Sequence, residues 1–142
     1  MKKKIFITGS SGFIGFHLSM SLLNKGVKVH GFDSMNNYYD IKLKVSRLKI
    51  LKQYKNFTFT KNNLENIKSL ERSILKFKPN YIIHLAAQAG VRYSIDEPRK
   101  YVNSNIIGTF NILEAVKNYY KFYKKIKLIH ISTDEVYGDV LY

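Results

Sequence analysis

The residues best suited to chemistry begin with Thr8-Gly9-Ser10-Ser11-Gly12-Phe13-Ile14-Gly15, between an apolar run and a helical pattern. A glycine-rich turn there lets backbone N–H groups and the helix amino terminus face a pyrophosphate, in approaches that a Cβ would block. Gly15, one turn into the helix, permits close packing of helix on strand. The spacing is GxxGxxG, not the GxGxxG of the general dinucleotide fingerprint, and a tight βα connection is the plain alternative. Asp33 follows the second apolar run. A carboxylate at that place accepts bonds from ribose hydroxyls and repels a 2′-phosphate, so it favours NAD over NADP. Its structural alternative is a turn aspartate before Ser34. Near the end stand Asp134 and Glu135. Neighbouring carboxylates in a closed site split their pKa values, so that one serves as acid while the other serves as base. An exposed acidic turn is the alternative.

The elements that must position these residues are legible. Lys3 to Thr8, Val27 to Phe32, Phe57 to Thr60, Tyr81 to Leu85 and Lys127 to Ser132 read as strands, several uniformly apolar as in parallel sheets covered on both faces. Ile14, Leu18 and Leu22 recur at helical spacing, and Lys25-Gly26 reads as a stop. Further helices are predicted over about Tyr39 to Tyr54, Leu64 to Phe77 and Arg99 to Tyr123. The alternation predicts an α/β fold, a doubly wound parallel sheet of the Rossmann type with strand order 3-2-1-4-5, truncated after the fifth strand. Its ligand crevice would open between the first and fourth strands.

Composition bounds the alternatives. The 142 residues carry 24 Lys plus Arg against 10 Asp plus Glu, a net charge of +14, with no Cys and 45% hydrophobic residues. Disorder and a disulfide scaffold are excluded. Nucleic-acid binding is the first reading of such charge. Against it, only Arg47, Arg72, Arg92 and Arg99 are arginines, whereas base and phosphate forks lean on Arg. The basic residues Lys42, Arg47, Lys49 and Lys52, and Lys121, Lys124 and Lys125, are expected on outer helix faces. No apolar run has the ~20 residues of a membrane span, so the expected setting is cytoplasmic, with no membrane and no nucleic-acid partner.

Taken together, TGSSGFIG, DSMNNYYD from Asp33, HLAAQAGVRYS from His84 and STDEVYG from Ser132 resemble the extended short-chain dehydrogenase/reductases, the NAD-dependent nucleotide-sugar epimerases and dehydratases. The resemblance covers essentially the whole chain. DSMNNYYD and AAQAGVRYS are similar to UDP-glucuronate 4-epimerases, whereas HISTDEVYGD is similar to dTDP-glucose 4,6-dehydratases. It implies NAD as cofactor, a nucleotide diphosphate sugar as substrate and a homodimer. Gly9, Gly12, Phe13, Ile14 and Gly15 would form the pyrophosphate turn, Asp33 and Asn36 would meet the adenosine ribose, and Asn63 and Leu64 would stand at the adenine. Leu85, Ala86 and Ala87 would line the cofactor cleft, and Thr133 would bond the sugar hydroxyl being oxidised. Asp134 would be the acid for the C6 hydroxyl and Glu135 the base for the C5 proton.

Two departures qualify the match. Asn63 replaces the family's usual aspartate, though its carbonyl still accepts a bond. By the resemblance, the family's Tyr-x-x-x-Lys pair is expected beyond Tyr142, and Tyr137 is no substitute, since no Lys stands four residues after it. The expectation is an amino-terminal cofactor-binding portion, 1–142, without its substrate-binding part. Asp134 and Glu135 would repel a sugar carboxylate, which favours 4,6-dehydration over glucuronate epimerisation. A non-catalytic NAD-binding module remains an alternative of another class. His30, His84 and His130 are expected to be structural strand residues, not metal ligands. Asn103 and Asn105 either tie the long helix to the site loops or face solvent. Arg92 either meets an anion in the cleft or pairs with Asp96 or Glu97.

Overall fold

The computed structural model describes residues 3–138; the side chains of Asp134 and Glu135 lie outside the described part. Five parallel strands, β1 (Lys4–Thr8), β2 (Lys28–Asp33), β3 (Phe57–Lys61), β4 (Tyr81–His84) and β5 (Lys127–His130), pair in the order β3-β2-β1-β4-β5. The predicted topology is therefore the observed one. In register, Ile5 faces Val29 on one side and Tyr81 on the other.

Alternation along the strands builds two cores. Ile5, Ile7 and Val29 face one side with Leu23, Leu51 and Phe57, against α1 (Phe13–Asn24) and α2 (Ile41–Leu51). Phe6, Phe32 and Ile82 face the other with Leu70, Ile74 and Ile112, against α3 (Ile67–Phe77) and α6 (Gly108–Tyr120). Burying each such side chain stabilises the fold by about 1.5–3 kcal/mol. α1 ends as predicted, with Gly26 at φ 73 and its N–H donating to the Leu23 carbonyl at 2.9 Å.

The single long helix expected from Arg99 is three joined pieces: α5 (Pro98–Tyr101), a π-helical segment (Val102–Ile107), and α6. Before them comes a short helix the sequence reading did not place, α4 (Val91–Asp96). The π segment widens the helix where Asn103 and Ser104 reach the crevice and Asn105 grips Gln88, a common site for such an irregularity.

His30 and His84 are buried as expected, but His130 is exposed, because it ends the outermost strand β5. Arg47 also departs from its expected outward place. It is half-buried, its Nη1 donates to the Ser11 carbonyl at 3.5 Å and its guanidinium lies 5.8 Å from the Phe13 ring centroid. Among the described residues Arg92 forms no ion pair; Glu97 pairs with Lys100 at 3.5 Å instead.

Candidate functional site

The carboxyl ends of β1, β2 and β4 open into a cavity of about 300 Å³. Its floor begins with the glycine-rich turn. The Gly9 N–H donates to the Phe32 carbonyl at 2.8 Å and the Gly12 N–H to the Gly9 carbonyl at 3.0 Å, which folds the turn back on itself. Gly9 has φ +68, and a Cβ there would lie 3.0 Å from Ala86 N and Cα, so glycine is what lets β1 and β4 close on each other. Helix α1 starts from Gly12 with no side-chain cap and no acidic residue in its first turn, leaving its amino-terminal N–H groups for an anion.

Asp33, the last residue of β2, is buried. Its Oδ2 accepts from Ser11 N at 3.0 Å and its Oδ1 from Met35 N at 2.8 Å. The carboxylate thus ties the glycine-rich turn to the loop after β2, in addition to facing the cavity. Beside it, Asn36 Oδ1 accepts from Lys44 Nζ at 2.6 Å. Lys44 is 8% exposed and forms no ion pair among the described residues. A buried cation on the cavity wall, held by a neutral amide, suits an anionic or hydroxyl-rich ligand.

The opposite wall is Leu85, Ala86, Ala87 and Gln88. Its position depends on Thr8, whose Oγ1 accepts from Leu85 N and Ala86 N, both at 3.1 Å. With both lone pairs taken, the Thr8 hydroxyl donates to His84 Nδ1 at 2.7 Å, which assigns the proton to Nε2, the donor to Thr109 Oγ1 at 3.1 Å. One hydroxyl and one neutral imidazole therefore join β1, β4 and α6 under the site. Asn105 adds a second tie, accepting from Gln88 N at 2.7 Å and donating to Gln88 O at 2.9 Å. This decides the open reading of Asn105 for the tying role, and Asn103 lines the cavity.

Two buried imidazoles, His84 in this network and His30 against Thr58 and Thr60 on β3, are held neutral. Burial first, and then the neighbouring Lys76 or His130 respectively, pushes His30 and His84 from 6.5 down to about 4. Below pH 6.5 the unfolded chain takes up protons that the folded chain refuses until about pH 4. Stability is thus fully present above pH 6.5 and is lost on acidification toward 4, by about 1.4 kcal/mol per pH unit for each imidazole. Urea midpoints measured at pH 7 and pH 5 should differ accordingly, and His84→Gln should flatten the slope. Equal midpoints would show that neither imidazole is held neutral.

Of the residues singled out from sequence, Gly9, Gly12, Asp33, Asn36, Asn63, Leu64, Leu85, Ala86 and Ala87 line this one cavity. Phe13 and Ile14 do not; they are 67% and 61% exposed at the start of α1. Gly15 packs beneath the turn, where a Cβ would meet the Gly9 carbonyl oxygen at 2.1 Å. Thr133 follows β5, outside the lining, and the side chains of Asp134 and Glu135 fall outside the described part. Lys44, Gln88, Tyr38, Tyr39 and Lys100 line the cavity and were not anticipated. Helical phase could have found the first: Lys44 shares a face with Leu48 and Leu51, four and seven residues on.

A glycine-rich turn, a buried aspartate at the end of β2 and a cleft between β1 and β4 form a dinucleotide-type crevice at the switch point of the sheet. Residues 6–142 match the model of the GDP-mannose 4,6 dehydratase family. The chain belongs to this family. Among the relatives of this family member, Protein CapI of Staphylococcus aureus is 47% identical over 95% of the chain. The UDP-glucuronate 4-epimerase of Thermodesulfobacterium geofontis is 40% identical over 93%. The chain spans 39% and 40% of their lengths. The UDP-glucuronic acid 4-epimerase of Bacillus cereus, solved with UDP-glucuronic acid and NAD, superposes with a TM-score of 0.84 at 34% identity, over 98% of this chain and 43% of that one. Among the described residues, no helix is long and apolar enough to cross a membrane.

Proposed function

We propose that residues 1–142 form the NAD-binding portion of a nucleotide-sugar enzyme working at C4 of the sugar, and that its reaction is the 4-epimerisation of UDP-glucuronate. The observation that carries the cofactor reading is the cavity at the ends of β1, β2 and β4, where the Gly9–Gly12 turn is bonded to the Asp33 carboxylate. The residues fit the dinucleotide: glycines stand where a Cβ would press on the backbone of the turn or of Ala86 and force the turn out of shape, and α1 offers uncapped N–H groups to a diphosphate.

In this reading Gly9 and Gly12 admit the diphosphate, while Asp33, Asn36 and Lys44 hold the adenosine ribose. Asn63 and Leu64 receive the adenine. Leu85, Ala86 and Ala87 shape the wall toward the reacting end, with Thr133 orienting the sugar hydroxyl. When bound, NAD⁺ supplies reversible hydride exchange with the sugar carbon. The chain's own part is to bind, to orient and, through the Thr8–His84–Thr109 tie, to keep the β4 wall in place.

Support for epimerisation comes from the relatives named for it and from the DSMNNYYD and AAQAGVRYS stretches. A second reading, 4,6-dehydration, rests on Asp134 and Glu135 as acid and base. Both readings are tested by giving the protein, extended to the length of its relatives, UDP-glucuronate and dTDP-glucose. A product of unchanged mass, epimeric at C4, is expected from the first. A product lighter by one water from the second would transfer the assignment to dehydration. Absence of NAD binding by the 142-residue chain would remove both.

A further inference from the structure

A second concavity of about 820 Å³ lies at the other end of the sheet's outer half, bounded by β3, the start of β2 and α3. α3 packs principally on α6 and β1 and reaches β3 through Ser73. Hydroxyls line the concavity: Thr58 and Thr60 alternate with Phe57, which is buried in the core on the opposite face, and Phe59, packed against that core. His30 forms the floor, its Nδ1 2.8 Å from Thr58 Oγ1 and its Nε2 3.1 Å from Thr60 Oγ1, with Ser73 Oγ donating to Thr60 Oγ1 at 3.3 Å.

The rim carries all the charge. Among the described residues, Lys4, Lys28, Lys52, Arg72 and Lys76 line this groove and no carboxylate does. Lys4 Nζ is fixed at one end by the Phe77 carbonyl at 3.2 Å. A solvated sheet edge accounts for the threonines. It does not account for five cations converging on one concavity without a counter-charge, an arrangement that concentrates positive potential and is relieved by an anion of several charges. Nucleic-acid grooves use Arg forks and exposed aromatic platforms, and here one of the five cations is Arg.

We propose that this groove binds the polyphosphate chain of a small phosphorylated ligand, with Lys52, Arg72 and Lys76 as its principal charge partners. The site is separate from the glycine-rich crevice and does not depend on what that crevice holds.

Calorimetric titration of the 142-residue chain with inorganic tripolyphosphate, repeated under saturating NAD, tests it. One site unaffected by NAD is expected. Arg72→Glu/Lys76→Glu should weaken it about tenfold or more, the equivalent of losing at least one good charge contact. Lys121→Glu/Lys125→Glu removes the same charge from an exposed region and should change it by less than about twofold if local field and not net charge governs binding. All four side chains are exposed, so circular dichroism should show both variants folded. ATP binding more tightly than tripolyphosphate would assign the chain to a nucleotide, and equal affinity to an inorganic polyphosphate; both support the site. Equal losses in the two double variants, displacement by NAD, or binding of oligonucleotides without tripolyphosphate would overturn it.

Discussion

Gly15→Ala is expected to cost about 1–3 kcal/mol of stability, the range for forcing atoms into a filled core, and to weaken dinucleotide binding by about a hundredfold, the scale of a small misplacement in a positioned site. The added Cβ would stand 2.1 Å from Gly9 O, 2.8 Å from Gly9 C and 2.9 Å from Ser10 Cα. All three are backbone atoms, so no side-chain rotation relieves the contact, and helix and turn must separate. The turn has little freedom to yield, because Gly9 N, Gly12 N and Ser11 N are each committed to a partner within 3.0 Å. Displacing it moves the N–H groups that would meet the diphosphate and strains the link to Asp33 together. Gly12→Ala is the control: its Cβ would meet one atom, Gly9 O, at 3.2 Å, and should be the milder change in both readouts. Thermal melts and NAD titration of both variants measure this. An unchanged melting temperature and NAD affinity in Gly15→Ala would show that close packing at this position does not hold the turn.

The contrast between Gly15 and Lys44 shows what was legible beforehand. Strand order, crevice position and the glycines follow from local signals, namely uniformly apolar runs, turn glycines and their order along the chain. Nine of the residues expected near the cofactor accordingly share one cavity. Arg47, expected on the outer helix face from its charge, is half-buried, and Lys44, which residue type alone does not single out, is buried; Leu48 and Leu51 mark their face as inward. Thr8 and His84 were harder. Their partnership arises from the register Thr8↔His84 across 76 residues, and no spacing in the chain announces it. The π segment also escaped, since Val102–Ile107 reads as ordinary helix and widens only where Asn105 is pulled onto Gln88. What sequence alone leaves out here is chiefly the non-local hydrogen bond.

Asp33→Ala should cost at least as much stability as Gly15→Ala, because the carboxylate has two tasks. It is 6% exposed and satisfies both Ser11 N and Met35 N. Alanine leaves two buried donors unmet, at about 1–3 kcal/mol each, and releases Met35, a non-glycine residue held at φ 55, from the bond that holds it there. Asp33→Asn separates the tasks. The amide oxygen can still accept from one donor while its NH₂ opposes the other, so the fold should lose about half as much. The charge, however, is gone, and with it the repulsion of a 2′-phosphate, while Lys44 remains on the same wall as an uncompensated cation. The ratio of NAD to NADP affinity should therefore fall by about tenfold or more in Asp33→Asn, one charge contact's worth, even where overall affinity drops. Paired titrations with the two dinucleotides at one salt concentration read that ratio directly. If both affinities fall in parallel, Asp33 acts only through the turn it ties, and the ribose contact must be assigned elsewhere on the cavity wall.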